Sequence, residues 1–162
     1  MSGSGAVILT GHLGDILKES AQTAVSFVRT HCITLGIDQD RLQNADIHIH
    51  VPASSIPKDG PSAGLAMSLS LISHLRDQLI LPDIAMTGEI TLTGQILGVG
   101  AIRDKLLAAQ RALLGHILLP LANRQEVNAM PRAVRAGLRL TYVGTILQAH
   151  NIIFKGSPKG GR

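Results

Sequence analysis

Residues 62–75, SAGLAMSLSLISHL, narrow the choice of fold more than any other stretch of this chain. Ala63, Gly64, Leu65, Ala66, Met67, Leu69, Leu71, Ile72 and Leu75 place small or aliphatic side chains nearly all round a helix of roughly three or four turns. A surface helix keeps a polar face, so a helix without one has to be enclosed by other elements. The rest of the chain must supply that enclosure. Immediately before the run, Lys58, Asp59, Gly60 and Pro61 carry turn chemistry: glycine for unusual backbone angles, proline for a fixed φ and no strand. A sharp loop therefore delivers Ser62 to the mouth of a buried helix.

The flanking patterns alternate between the two regular periods. Ala6–Thr10 reads as a strand, Gly11–Gly14 as its turn, and Asp15 as the N-cap of a helix that runs to about Leu35 and is closed by Gly36. Its expected buried stripe is Ile16, Leu17, Ala21, Ala24, Val25, Val28, Cys32 and Leu35. Residues 37–45 read as a polar connection. Asp46–Val51 alternates as a strand, with Ile47, Ile49 and Val51 on one face and His48 and His50 on the other. Beyond the central helix come a loop over 76–83 and two strands within 84–100, joined near Thr93 and Gly94, with Thr87 and Glu89 on the first. A helix over 104–113, a strand over 116–119, a helix over 124–129, a strand over 139–143 and a helix over 145–153 complete the pattern. This alternation predicts a single α/β (α+β) domain, a mixed sheet with packed helices. Residues 1–5 read as a leader or tag remnant, 6–154 as the domain, and 155–162, rich in Gly, Pro and Lys, as a disordered basic tail.

Composition excludes several classes. A chain of 162 residues, 45% hydrophobic, is one ordinary domain with enough apolar material for a core. Phe27, Tyr142 and Phe154 are its aromatics, so the core must be aliphatic and a base-stacking platform for nucleic acid is not expected. The single cysteine, Cys32, cannot form an internal disulfide and reads as a small buried hydrophobe. No signal peptide, lipidation motif or apolar run of bilayer length is visible, which predicts no membrane partner. The chain reads as soluble and intracellular, in the cytoplasm or in an organelle matrix if the source is eukaryotic. Net charge is +4, divided unevenly: residues 1–89 hold 5 Lys/Arg and 9 Asp/Glu, residues 90–162 hold 10 and 2. Arg124, Arg132, Arg135 and Arg139 fall on separate elements, so solvated charge is the default reading and a nucleic-acid surface the alternative.

The chemistry centres on Ser62 and Lys105. A serine before an apolar run is ordinarily an N-cap. At a helix N-terminus, however, free N–H groups and the positive end of the helix dipole can also stabilise an oxyanion on an attacked carbonyl, provided a base is near. Lys105 follows the Gly98–Gly100 turn and opens a helix whose neighbours Ile102, Leu106, Leu107, Ala108 and Ala109 would desolvate its amine. Desolvation disfavours an ammonium and makes a lysine usable as a general base. Alone, such a lysine reads as a solvated charge. His48 and His50 could ligate a metal, yet no Cys, His or carboxylate set accompanies them at metal spacing, so hydrogen-bonded or half-exposed rings are expected. The Gly98–Gly100 turn lacks the third glycine of a phosphate cradle.

PKDGPSAG around Ser62, MTGEITLTG at 86–94 and GAIRDKLLAA around Lys105 together resemble the proteolytic domain of the Lon family of ATP-dependent proteases. The likeness runs from about residue 7 to about 150 through LTGHLGDILKESAQTAVSFVR, DIHIHVP and ILLPLANRQEV. It implies a serine endopeptidase that hydrolyses peptide bonds of unfolded proteins or peptides with a Ser-Lys dyad, Ser62 as nucleophile and Lys105 as base. It further implies that Thr87 holds the lysine amine and that Asp59 pairs with Lys105 in an inactive arrangement. Gly60, Pro61 and Ala63 shape the oxyanion-binding turn in that reading. A hexameric ring and an AAA+ ATPase module in cis are the implied partners. No G-x-x-x-x-G-K-[ST] occurs, so ATP-Mg is expected only of that module and no cofactor or metal of this chain, read as an excised domain or a stand-alone relative. The chain departs from the family pattern at Gly98, at Gly100–Ala101 and at Leu113–Leu114, beside the lysine. A catalytically impaired assembly domain and, further off, a nucleic-acid-binding module are the alternatives.

Overall fold

The computed structural model describes residues 3–11, 13–52 and 59–154. Alternation places Ile47 in the core and His48 and His50 in solvent along a strand, Ile47–Val51, that pairs in parallel with Val7–Gly11. These are β2 and β1. A parallel pair needs a crossover, and helices α1 (Asp15–Thr30) and α2 (Gln39–Gln43) provide it. After a single 3-10 turn at Pro61–Ala63 comes α3 (Gly64–Arg76), followed by β3 (Ile84–Met86), β4 (Glu89–Ile90) and β5 (Ile96–Leu97). The chain continues through α4 (Ile102–Arg111), β6 (His116–Pro120), a second 3-10 turn (Leu121–Asn123), α5 (Arg124–Ala129), α6 (Arg132–Arg135), β7 (Arg139–Val143) and α7 (Ile146–Phe154).

Pairing is mixed: β1–β2 and β3–β6–β7 are parallel, and β4–β5 is an antiparallel hairpin. Among the described residues, β2 and β3 each keep one edge unpaired. The α/β class and the enclosure of residues 62–75 follow the expectation. Leu65, Leu69 and Ile72 are fully buried, and α3 packs against α1, α7 and β4.

The differences have local causes. Residues 84–100 form three short strands, since β3 joins β6 while β4 pairs with β5, and Thr87 lies between strands. Helix α1 ends at Thr30, and the chain reaches Gly36 (φ 68°) through tight turns, with Ile37 N donating to Cys32 O at 2.8 Å. Ile16, assigned to the buried stripe, is 51% exposed, whereas its neighbour Leu17 is buried. The supposed polar connection contains α2, capped by the Asp38 carboxylate, and Arg41 ties it to Asp77 and to Leu75 O. Ser4 N and Ala6 N both donate to Asp46 Oδ1 at 2.9 Å. The tail at 155–162 lies outside the described residues, as does Lys58.

Two aliphatic cores result. One gathers α1, α3, α7 and the inner face of β2; the other gathers α4, α5, α6 and the remaining face of the three-stranded sheet. Strand β6 separates them, with Leu118 in the first and Ile117 and Leu119 in the second. It is buried at all five positions.

At the head of β6 the His116 ring bonds Thr141 Oγ1 at 2.8 Å, and burial, then the Arg139 charge, holds its pKa below the ordinary 6.5. The unfolded chain therefore takes up this proton first, so the contribution is complete above about pH 6.5 and is lost as pH falls below it. Urea midpoints should drop between about pH 7.5 and 5.5, and the slope should flatten in His116→Gln. An unchanged slope would remove His116 from the acid response.

Candidate active site

Ser62 is the middle residue of the turn Pro61–Ala63 and is half-buried. Its carbonyl is gripped from the β3–β4 junction: Gly88 N donates to it at 2.9 Å and the Thr87 hydroxyl at 3.2 Å. Leu65 N donates back to Gly88 O at 3.0 Å. On the opposite side Ser20 Oγ donates to Pro61 O at 3.3 Å. Gly64 permits this closeness, because an added Cβ would lie 2.8 Å from Ile90 Cγ1 and 3.0 Å from Ser20 Oγ. With its backbone fixed this way, Ser62 leaves α3 without a side-chain cap, and its Oγ accepts a hydrogen bond from the Lys105 amine at 3.4 Å.

Lys105 stands in the first turn of α4, its N–H bonded to Ala101 O at 3.1 Å. Ile102 and Leu106 on either side are fully buried, which anchors the helix in the second core. The amine projects into a pocket of about 450 Å³ lined by Ser62, Ala66, Met86, Thr87, Lys105 and Ala109 among others. Among the described residues the ion pairs are Lys18–Asp15 and Arg41–Asp77, so none engages Lys105. A groove of about 880 Å³ runs between the free edge of β2 and α3, and Ala66 lines both cavities.

Thr87 and Asp59 make the following bonds in this structure. The Thr87 hydroxyl donates to the Ser62 carbonyl, and the lysine amine donates to Ser62 Oγ. Asp59 forms no ion pair with the lysine among the described residues. Its carboxylate accepts Leu17 N at 3.0 Å, in the first turn of α1, where unpaired N–H groups and the helix dipole favour an anion. Asp15 is consequently not the cap: Gly14 holds that position and offers no side chain, and a Cβ there would fall 2.2 Å from Asp59 Cγ. Gly60 leads from Asp59 into the turn, Pro61 opens it and Ala63 closes it.

His48 Nε2 and His50 Nδ1 both meet Thr10 Oγ1, at 2.7 and 2.8 Å, on the exposed face of β1–β2. They stand apart from Ser62, as hydrogen-bonded rings. The sequence reading missed Asn123, buried at the exit of β6, whose side chain grips Val99 in the loop that leads to α4. Its partner Val99 is distant in sequence, so no local pattern marks it. Cys32 is buried and free, as expected.

A family model for the Lon protease (S16) C-terminal proteolytic domain matches residues 1–155. Lon protease 1 of Sorangium cellulosum is 48% identical over 149 residues, which is 92% of this chain and 18% of that protein. Lon protease of Aquifex aeolicus is 44% identical over 160 residues, 98% of this chain and 20% of its own length. Lon protease 2 of Thermus thermophilus is 42% identical over 159 residues, again 98% and 20%. The chain thus spans about a fifth of the length of the curated relatives it matches.

If Asp59 caps α1 across the loop, Asp59→Ala should cost about 1 kcal/mol of stability, the ordinary value of a lost N-cap. Gly14→Ala should cost at least as much by displacing the carboxylate. Urea unfolding of each variant and of the pair checks this, and two losses that simply add would mean that the residues act separately.

Proposed function

The chain belongs to the Lon protease (S16) C-terminal proteolytic domain family, and from that premise we propose that it is a serine endopeptidase with Ser62 as nucleophile and Lys105 as general base. One observation carries the reading: the hydrogen bond between the Lys105 amine and Ser62 Oγ, 3.4 Å long, at the mouth of a buried helix. The length suits an unliganded site, where catalytic hydrogen bonds are commonly long and tighten on substrate binding.

In the reactive form the amine is neutral and the contact reverses, the hydroxyl donating to Nζ. As Oγ attacks the scissile carbonyl carbon, its proton passes to Lys105, and the negative charge moves to the carbonyl oxygen. Backbone N–H groups of the turn at Pro61–Ala63 face that oxygen, assisted by the positive end of α3. The tetrahedral intermediate collapses, the C–N bond breaks, and Lys105 returns the proton to the leaving amine. Water, deprotonated by the same lysine, then hydrolyses the acyl ester and frees Ser62.

The groove beside β2 suits an extended, unfolded chain, whose backbone can satisfy the free strand edge. Folded proteins hold most of their backbone groups in internal hydrogen bonds. In this reading an AAA+ ATPase module in cis does the unfolding and the domains assemble as a hexameric ring; Leu79 and Leu113, 86% and 90% exposed, suit burial in such an assembly. Among the described residues no helix is long and apolar enough to cross a membrane. An intracellular setting completes the proposal.

A fluorophosphonate should add one adduct to the parent chain and none to Ser62→Ala, read by intact mass. Lys105→Ala and Lys105→Arg should keep the parent melting curve and lose peptide hydrolysis by about 10²–10⁴-fold, since arginine stays protonated and cannot accept the serine proton. A folded Lys105→Arg variant with substantial hydrolysis would falsify the dyad.

A further inference from the structure

We propose that Asn123 is a positioning residue for Lys105, acting through the loop at 98–101. The inference rests on the Ser62–Lys105 reading and extends it to how the base is held. Ala101, at the start of α4, adopts the left-handed conformation (φ 54°, ψ 35°), which an L side chain enters at a cost. Such a residue persists only where its surroundings over-determine it. The loop that ends in it therefore needs a fastening outside α4.

Asn123 is that fastening. It sits at the end of the 3-10 turn that leaves β6 and is 6% exposed. Its Oδ1 accepts Val99 N at 2.9 Å, and its Nδ2 donates to Val99 O at 2.9 Å. The side-chain amide thus reproduces the two bonds that a neighbouring strand would make to one residue. The second amide hydrogen goes to Glu126 Oε2, also at 2.9 Å, which fixes the end of the amide that faces Val99 N–H. As the residue preceding α5, Asn123 would ordinarily cap that helix, yet its side chain makes no capping bond there. It is committed to the loop instead. Gly98 lets the loop come this near, an added Cβ lying 3.3 Å from Ala122 Cβ and 3.5 Å from Asn123 Oδ1.

From Val99 the chain passes through Gly100 and Ala101 into α4, and Ala101 O receives Lys105 N. Losing the clamp frees the strained turn to relax, and α4 can then shift along its axis. A contact of 3.4 Å between base and nucleophile has little tolerance for that. Displacement of a catalytic group by about 1 Å can cost on the order of 100-fold in rate. The groove beside β2 and α3, built from other elements, should be unaffected, so substrate affinity should stay.

The test compares Asn123→Ala with the parent, with Lys105→Ala and with Ile153→Val, which loosens the other core and touches neither loop. Each is assayed on an unstructured fluorogenic peptide below its melting temperature. Asn123→Ala is expected to lower kcat by 10- to 100-fold, to leave KM within about twofold, and to slow fluorophosphonate labelling of Ser62 in parallel. Ile153→Val should keep the parent kcat. If alanine prevents folding, Asn123→Asp carries the test, since it retains the acceptor for Val99 N–H and loses the donor to Val99 O. A folded Asn123 variant with kcat within twofold of the parent, beside an inactive Lys105→Ala, overturns the positioning role and leaves the dyad standing. Equal losses in Ile153→Val and Asn123→Ala overturn it as general destabilisation. An active Lys105→Ala overturns the dyad itself, and the positioning role with it.

Discussion

Strand β6 is enclosed on both faces and on both edges, and a strand so placed has to send every backbone group and every side chain to a partner. Its edges go to β3 and β7. Its side chains divide between the two cores, and full burial of an aliphatic residue on either side contributes about 1.5–3 kcal/mol. Leu118 O also accepts Thr87 N at 3.2 Å, just past the end of β3. A central strand is thereby a common reference for groups that belong to different cores.

Ser62 depends on the first core through α3, and Lys105 on the second through α4. Apolar packing is non-directional, and packing alone would leave the two free to slide by fractions of an ångström. Directional bonds from β6 remove that freedom on both sides. On one side Leu118 O fixes Thr87, whose hydroxyl fixes the Ser62 carbonyl. On the other, the exit of β6 presents Asn123 to Val99. The Asp59 cap adds a third tie, from the loop before Ser62 to α1.

Legibility in the sequence followed the range of the cause. The enclosure of α3 could be read because its apolar residues are contiguous, and β6, α5 and β7 could be read because short hydrophobic runs lie between turn residues. Ser62 and Lys105 were reachable as residue types in the right local settings, with the family likeness joining them. The partners that Asp59 and Thr87 hold, Leu17 N and Ser62 O, are distant in sequence and set by tertiary contact, which no local pattern shows. Asp15 looked like a cap because nothing local shows that a carboxylate far along the chain occupies the helix end. The exposed face of α1 explains Ile16 similarly: periodicity marks a stripe but not its width. Helix α2 is the different case, since its Asp38 cap was visible locally and only its brevity hid it.

Among the described residues, the unpaired edge of β2 is only five residues long. A peptide laid against so short a ladder gains few main-chain hydrogen bonds, each worth roughly 0.5–1.5 kcal/mol net. In the proposed reading, such a grip retains a cut fragment weakly, and products depart between turnovers without any opening motion. In that reading, the residence of a long polypeptide comes from contacts beyond this edge.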